Sequence, residues 1–138
     1  MSSIVTEMRS VVVEREFPHP PEKLWRALTQ PHLIEEWLMK SDFQPVVGHD
    51  FNFRGDWGAV DCQVREVEPN RSLSYTWDAH GLVSIVTWTL TPTDTGTHLR
   101  MEQSGFRPDQ EQAYQGAKFG WRKFLATLEQ VVARTGAE

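Results

Sequence analysis

Cysteine is almost missing from this chain: Cys62 stands alone among 138 residues. One thiol can form no internal disulfide, and neither a CxxC metal site nor a redox pair is available. A reducing compartment is the simplest expectation. Long apolar runs are missing as well. No stretch approaches the roughly 20 apolar residues that a membrane helix needs, and Met1 to Ser10 carries Glu7 and Arg9 where a secretory leader would be apolar. The expectation is a cytoplasmic protein with no membrane insertion. Positive charge is in the minority, with 14 Lys and Arg against 19 Asp and Glu and a net charge of -5. Such mild acidity keeps a protein soluble and disfavours approach to phosphate backbones, so no nucleic acid partner is expected.

Short catalytic signatures are absent too. No HExxH, GxSxG, GxGxxG or Walker-type glycine loop occurs, which removes the commonest local marks of zinc proteases, serine hydrolases and nucleotide enzymes. The five histidines, His19, His32, His49, His80 and His98, are too scattered for local metal-ligand spacing, so neither a metal nor another cofactor is expected. Cys62 has no basic helper near it in sequence and reads as a small buried apolar residue.

What is present is enough for one core. The chain is 39% hydrophobic and falls in the usual single-domain size range, so a single domain over 1–138 is expected, with its core at about 9–134. Residues 10–17 are β-branched and then alternating, and Pro18, Pro20 and Pro21 close that strand. Proline suits a first helical turn, so Pro21 to Leu28 starts a short helix; Leu33, Ile34, Trp37 and Leu38 mark a second. From residue 50 the period becomes two. Phe51 and Phe53, Val60 to Val64, Leu73 to Trp77, Val83 to Leu90, and Leu99 to Met101 define five strands separated by turn signals. The run Val83 to Leu90 is dense enough to cover both faces of a sheet. From Gln112 to Arg134 there is no proline, and Tyr114, Ala117, Trp121, Phe124, Leu125, Leu128, Val131 and Val132 recur at three and four, the pattern of one long amphipathic helix. Phe119 falls about 160° from that stripe at ~100° per residue and is expected near solvent, a loop or a partner subunit.

Strand, two short helices, five strands and a long helix imply an antiparallel sheet that buries one face under the last helix. The segments Arg15-Glu16-Phe17, Pro21 to Thr29, Trp37, Glu66-Val67-Glu68-Pro69, Tyr75-Thr76-Trp77, Val86 to Leu90, Gly96-Thr97, Ser104-Gly105-Phe106 and Gly120-Trp121 resemble the START-like, or Bet v 1-like, superfamily. Within it they are most similar to the branch related to the C-terminal domain of the activator of Hsp90 ATPase. The resemblance implies an α+β helix-grip fold: a six-stranded curved sheet around the C-terminal helix, two short helices between strands one and two, and an apolar cavity that binds hydrophobic molecules in relatives. Eukaryotic Hsp90 activators carry a further N-terminal domain for which this chain has no room, so an Hsp90-type chaperone partner is not expected.

Three readings of function follow. The first is binding of a small hydrophobic or amphipathic molecule, with Trp37, Phe51, Phe53, Val64, Tyr75, Trp77, Trp88, Met101, Trp121 and Leu125 as the candidate lining, because large rings on a concave sheet supply apolar contact. Tyr75 or Arg54 would orient the ligand's polar end. The same rings equally fill an ordinary core. The second is a cyclase or hydrolase type of enzyme, which requires a desolvated ionisable group pointing into the cavity. The third is an interaction module, homodimeric or chaperone-associated, using the sheet edge or Phe119. Arg54, Asp56, Asp61 and Arg65 cluster near one hairpin, where cross-strand surface pairing is the plain reading and an acid–base pair the sharper one.

Overall fold

The computed structural model describes residues 8–56, 58–79 and 81–134. Trp57, in the span between the second and third expected strands, and His80, one of the five scattered histidines, lie outside the described residues. Strand β1 (Arg9–Phe17) leads into helices α1 (Pro21–Thr29) and α2 (Pro31–Trp37). Strands β2 (Lys40–Ser41), β3 (Asp50–Gly55), β4 (Gly58–Glu68), β5 (Ser72–Ala79), β6 (Leu82–Pro92) and β7 (Thr97–Phe106) follow, and helix α3 (Glu111–Arg134) ends the described chain.

The strands form one sheet in the order β1-β7-β6-β5-β4-β3-β2, every neighbouring pair antiparallel. This is the helix-grip arrangement, with one strand more than expected. The seventh strand is β2, whose two residues pair with Arg54 and Phe53. A strand that short cannot display alternation, so periodicity has nothing to detect.

Two irregularities keep the inner face continuous. On β4 the register shifts at Arg65, so that Val64 opposes Tyr75 while Glu66 opposes Ser74. The extra residue resets the alternation and lets Val64 and Val67 share one face. On β7 the extra residue is Gly105, at φ 116, where a Cβ would lie 2.7 Å from the Val83 carbonyl oxygen. Only glycine fits that bulge without displacing backbone. Phe106 is thereby returned to the core.

Strand β6 departs from its expected two-sided burial. Ser84, Val86, Trp88 and Leu90 point into the core, whereas Val83 and Ile85 are 69% and 40% exposed on the outer face. The run is apolar in sequence, yet α3 covers only one side of the sheet. Along α3, Trp121, Leu125, Leu128, Val131 and Val132 are buried, and Phe119 is 72% exposed, opposite that stripe as its spacing predicts. The short helices are tied together by Trp37, whose indole Nε1–H donates to the Ala27 carbonyl oxygen at 2.8 Å. Proline at the first position of each replaces a side-chain cap, since its missing N–H needs no partner there.

Candidate functional site: an aromatic cleft beside the C-terminal helix

The deeper half of α3 is sealed against the sheet by large side chains, but its first three turns are not. Ala113, Gly116, Ala117 and Gly120 recur at i, i+3, i+4 and i+7 and leave one flank of the helix without bulk. A Cβ added at Gly116 would meet no atom within 4 Å. Between this flank and the β5–β6 end of the sheet lies an open cleft of about 740 Å³. Trp77 from β5 and Trp121 and Phe124 from α3 form its aromatic wall, with Val60, Ala79 and Leu82 beside them. The ring centroids of Trp77 and Trp121 are 5.1 Å apart, and those of Trp121 and Phe124 are 5.6 Å apart. Trp77 and Phe124 are only partly buried, so their faces are available to a ligand.

The floor of the cleft carries one polar side chain, Gln103, which is 1% exposed. The indole N–H of Trp121 can only donate, which fixes the amide orientation. Gln103 Oε1 accepts from Trp121 Nε1 at 2.6 Å, and Gln103 Nε2 donates to Ser84 Oγ at 3.0 Å. Ser84 in turn donates to the Trp77 carbonyl oxygen at 2.8 Å. Both cleft tryptophans are thus held by one buried polar relay. The mouth is built from Asp109, Gln110 and Gln112. Gln110 Nε2 reaches across to the Gly81 carbonyl oxygen at 3.4 Å, and Asp109 pairs with Arg107 at 3.2 Å. At the other side of the helix start, Arg9 pairs with Glu111 at 2.6 Å and lies 3.9 Å from the Tyr114 ring centroid, which fixes α3 against β1.

Of the ten residues expected to line a cavity, Trp77 and Trp121 line this cleft. The other eight lie in the core. Phe51, Phe53 and Tyr75 join Phe43 in a cluster of rings 5.0 to 6.1 Å apart. Trp88 packs edge-on between Trp37 and Trp121, each 5.7 Å away. Val64, Met101 and Leu125 have no exposed surface. The Tyr75 hydroxyl accepts the Trp88 indole N–H at 2.9 Å, and burial pushes its pKa up from the usual phenol value. It belongs to the core, away from the cleft. Arg54 is exposed and does not line the cleft either.

Sequence reading missed Gln103 and the small-residue flank. Both had a signal: alternation through Leu99 and Met101 carries Gln103 to the inner face, and small residues at helical spacing leave space that larger ones would fill.

The remaining chemical candidates sit on the outer face or are inert. Arg54, Asp56, Asp61 and Arg65 are exposed, but no ion pair among the described residues joins them. Instead of a cation, Asp61 faces Asp78 across the β4–β5 ladder. The expected surface pairing is therefore not made. Burial, with a contribution from Asp78 and Asp61, raises the Cys62 thiol pKa far above the ordinary range. No Asp, Glu or His among the described residues is buried, and none of their groupings could hold a metal ion. No helix among them is long and apolar enough to cross a membrane.

Residues 18–133 match the family model described as activator of Hsp90 ATPase homolog 1-like protein. The chain belongs to this family. It is a START-like domain, and its solved neighbours share the helix-grip architecture. Protein MLL2253 from Mesorhizobium loti is 68% identical, with 92% of this chain and 98% of that one aligned at a TM-score of 0.89. The Bacillus halodurans protein BH1534 is 28% identical over 92% of this chain and 99% of its own, at a TM-score of 0.82. DynU16, a protein in the dynemicin biosynthetic locus, is 26% identical over 90% of this chain and 47% of its own, also at 0.82. No curated protein matches the chain.

Proposed function

We propose that this START-like chain binds a small, mainly apolar molecule in the cleft between the first turns of α3 and the β5–β6 end of the sheet. The carrying observation is the cleft itself. Its volume of about 740 Å³ lies within the range of roughly 300–1,000 Å³ common to small-molecule sites. Its aromatic wall, the buried ring of Trp121 with the partly buried rings of Trp77 and Phe124, adjoins a helix flank that Gly116 and Gly120 keep free of bulk. A surface under selection for packing alone would fill that flank, because glycine inside a helix costs about 0.5–1 kcal/mol relative to alanine. The family's description names Hsp90 activation, and DynU16 belongs to a biosynthetic locus. A cleft of this size and chemistry fits a small molecule better than a protein segment.

Acid–base catalysis has little to work with in the cleft. Asp109 is the one ionisable side chain among its described lining residues, and it is exposed and paired with Arg107. The reading is therefore of a binding module acting in the cytoplasm, a compartment that suits a lone buried thiol. Native mass spectrometry of protein purified from its own host tests it. The expected result is a small mass that accompanies the folded protein and is lost on denaturation. Bare protein under both conditions would contradict the proposal.

A further inference from the structure

The cleft is specific about polarity as well as shape. Its described lining holds no Lys, Arg or His, and its only carboxylate is already paired at the mouth. A ligand anion buried there would meet no counter-charge among the described lining residues, and burying an unpaired charge is far costlier than burying a neutral polar group. Among the described residues, Gln103 is the buried polar side chain that lines the cleft. Its Oε1 is taken by Trp121 and one Nε2 hydrogen by Ser84, so the second Nε2 hydrogen is without a protein acceptor among the described residues. A primary amide carries two donors, and a donor buried without an acceptor costs about 1–3 kcal/mol. The cleft beside it is where an acceptor can enter.

We infer that the ligand is a neutral molecule with a flat apolar body and a carbonyl-type acceptor oxygen, received by the free Nε2 hydrogen of Gln103 while the body lies on Trp77, Trp121 and Phe124. This rests on the binding reading above. The relay from Trp121 through Gln103 and Ser84 to the Trp77 carbonyl then has a second purpose: it fixes the amide orientation, so that a donor faces the ligand. Fatty acids and anionic lipids are disfavoured, and planar ketones and related carbonyl compounds are favoured.

Three probes with one ring skeleton test the inference: fluorene, which lacks an acceptor, 9-fluorenone, which has a neutral carbonyl, and fluorene-9-carboxylate, which is anionic. Affinities are read by tryptophan quenching on the full chain. The expected order places 9-fluorenone about two- to tenfold tighter than fluorene, the range of one buried hydrogen bond. The carboxylate should bind at least roughly tenfold more weakly than 9-fluorenone. In Gln103→Met the ketone-to-hydrocarbon ratio should fall to about one. Should that variant fail to fold, the wild-type amide spectrum decides: one Gln103 side-chain proton should move downfield with 9-fluorenone and stay in place with fluorene. Equal affinity for ketone and hydrocarbon, or an unmoved Gln103 signal, would overturn the anchor and leave apolar binding intact. Tightest binding of the carboxylate would overturn the neutrality argument. Failure of all three probes to bind would overturn this inference together with the binding reading.

Discussion

Replacing Gly116 with leucine separates the cleft's role from the fold's. In ordinary helices the change stabilises, because glycine is about 0.5–1 kcal/mol poorer than a good helix former at an interior position. Nothing stands in the way of the new side chain, since no atom lies within 4 Å of the position a Cβ would occupy. The introduced isobutyl group would extend toward the aromatic wall of Trp77 and Phe124 and occupy the space assigned to the ligand. Gly116→Leu should therefore raise unfolding free energy by about 0.5–1 kcal/mol in urea with an unchanged m-value. The melting temperature should rise by roughly 2–5 °C. In the same protein, affinity for 9-fluorenone should fall by at least about tenfold, the equivalent of ~1.4 kcal/mol. More stability with less binding is the pattern expected where open space has been kept for function. A variant that is both less stable and unchanged in binding would show the opposite, that Gly116 is a packing residue and the space beside it is not a ligand site.

Gly96→Ala should act in the opposite sense. An added Cβ would lie 2.0 Å from the Phe17 carbonyl oxygen and 2.7 Å from the His19 backbone nitrogen, so urea denaturation should show a loss on the order of 3 kcal/mol or more; a loss below about 1 kcal/mol would contradict the geometry. His98 bridges Glu16 and Glu14, and hydrogen bonds to both, Glu16 first, hold its pKa above the ordinary value of 6.5. A raised folded-state pKa gives stabilisation that is complete below about pH 6.5 and is lost as pH rises through the folded value, so the stability penalty of His98→Gln should shrink as pH is raised above about 6.5. A penalty that grows with pH would show that the bridge does not form in solution. Cys62 is 5% exposed with its pKa pushed up by burial, so iodoacetamide should modify the unfolded chain and leave the native one intact by mass; rapid native alkylation would mean that the β3–β4 hairpin opens readily.

The layout of the fold was legible because its signals are local. Alternation from Phe51 onward, proline at the start of each short helix and the three–four spacing along α3 each follow from backbone geometry, and together they leave one arrangement of layers. Strand β2 was invisible because two residues carry no period. The two-sided reading of β6 failed for a different reason: apolar density in Val83 to Leu90 says that a strand is apolar, whereas only the position of α3 says which face is covered. The aromatic residues raised the same difficulty at the site. Trp37, Phe53, Trp88 and Trp121 are equivalent in sequence, and what assigns Trp121 to the cleft and Trp88 to the core is the absence of bulk on the neighbouring flank of α3. The clue to the cleft was thus in the small residues, Ala113, Gly116, Ala117 and Gly120, and in a glutamine at an inward position.

A ligand held as proposed lies against Trp77 and Trp121 and does not enter the core around Trp37. Indole N–H signals in a ¹⁵N-resolved spectrum distinguish these rings directly during titration with 9-fluorenone. The Trp77 and Trp121 signals should shift in a saturable manner while that of Trp37, which is bonded to the Ala27 carbonyl oxygen, stays in place. Movement of Trp37 with Trp77 and Trp121 unchanged would place the site in the core and rule out the cleft.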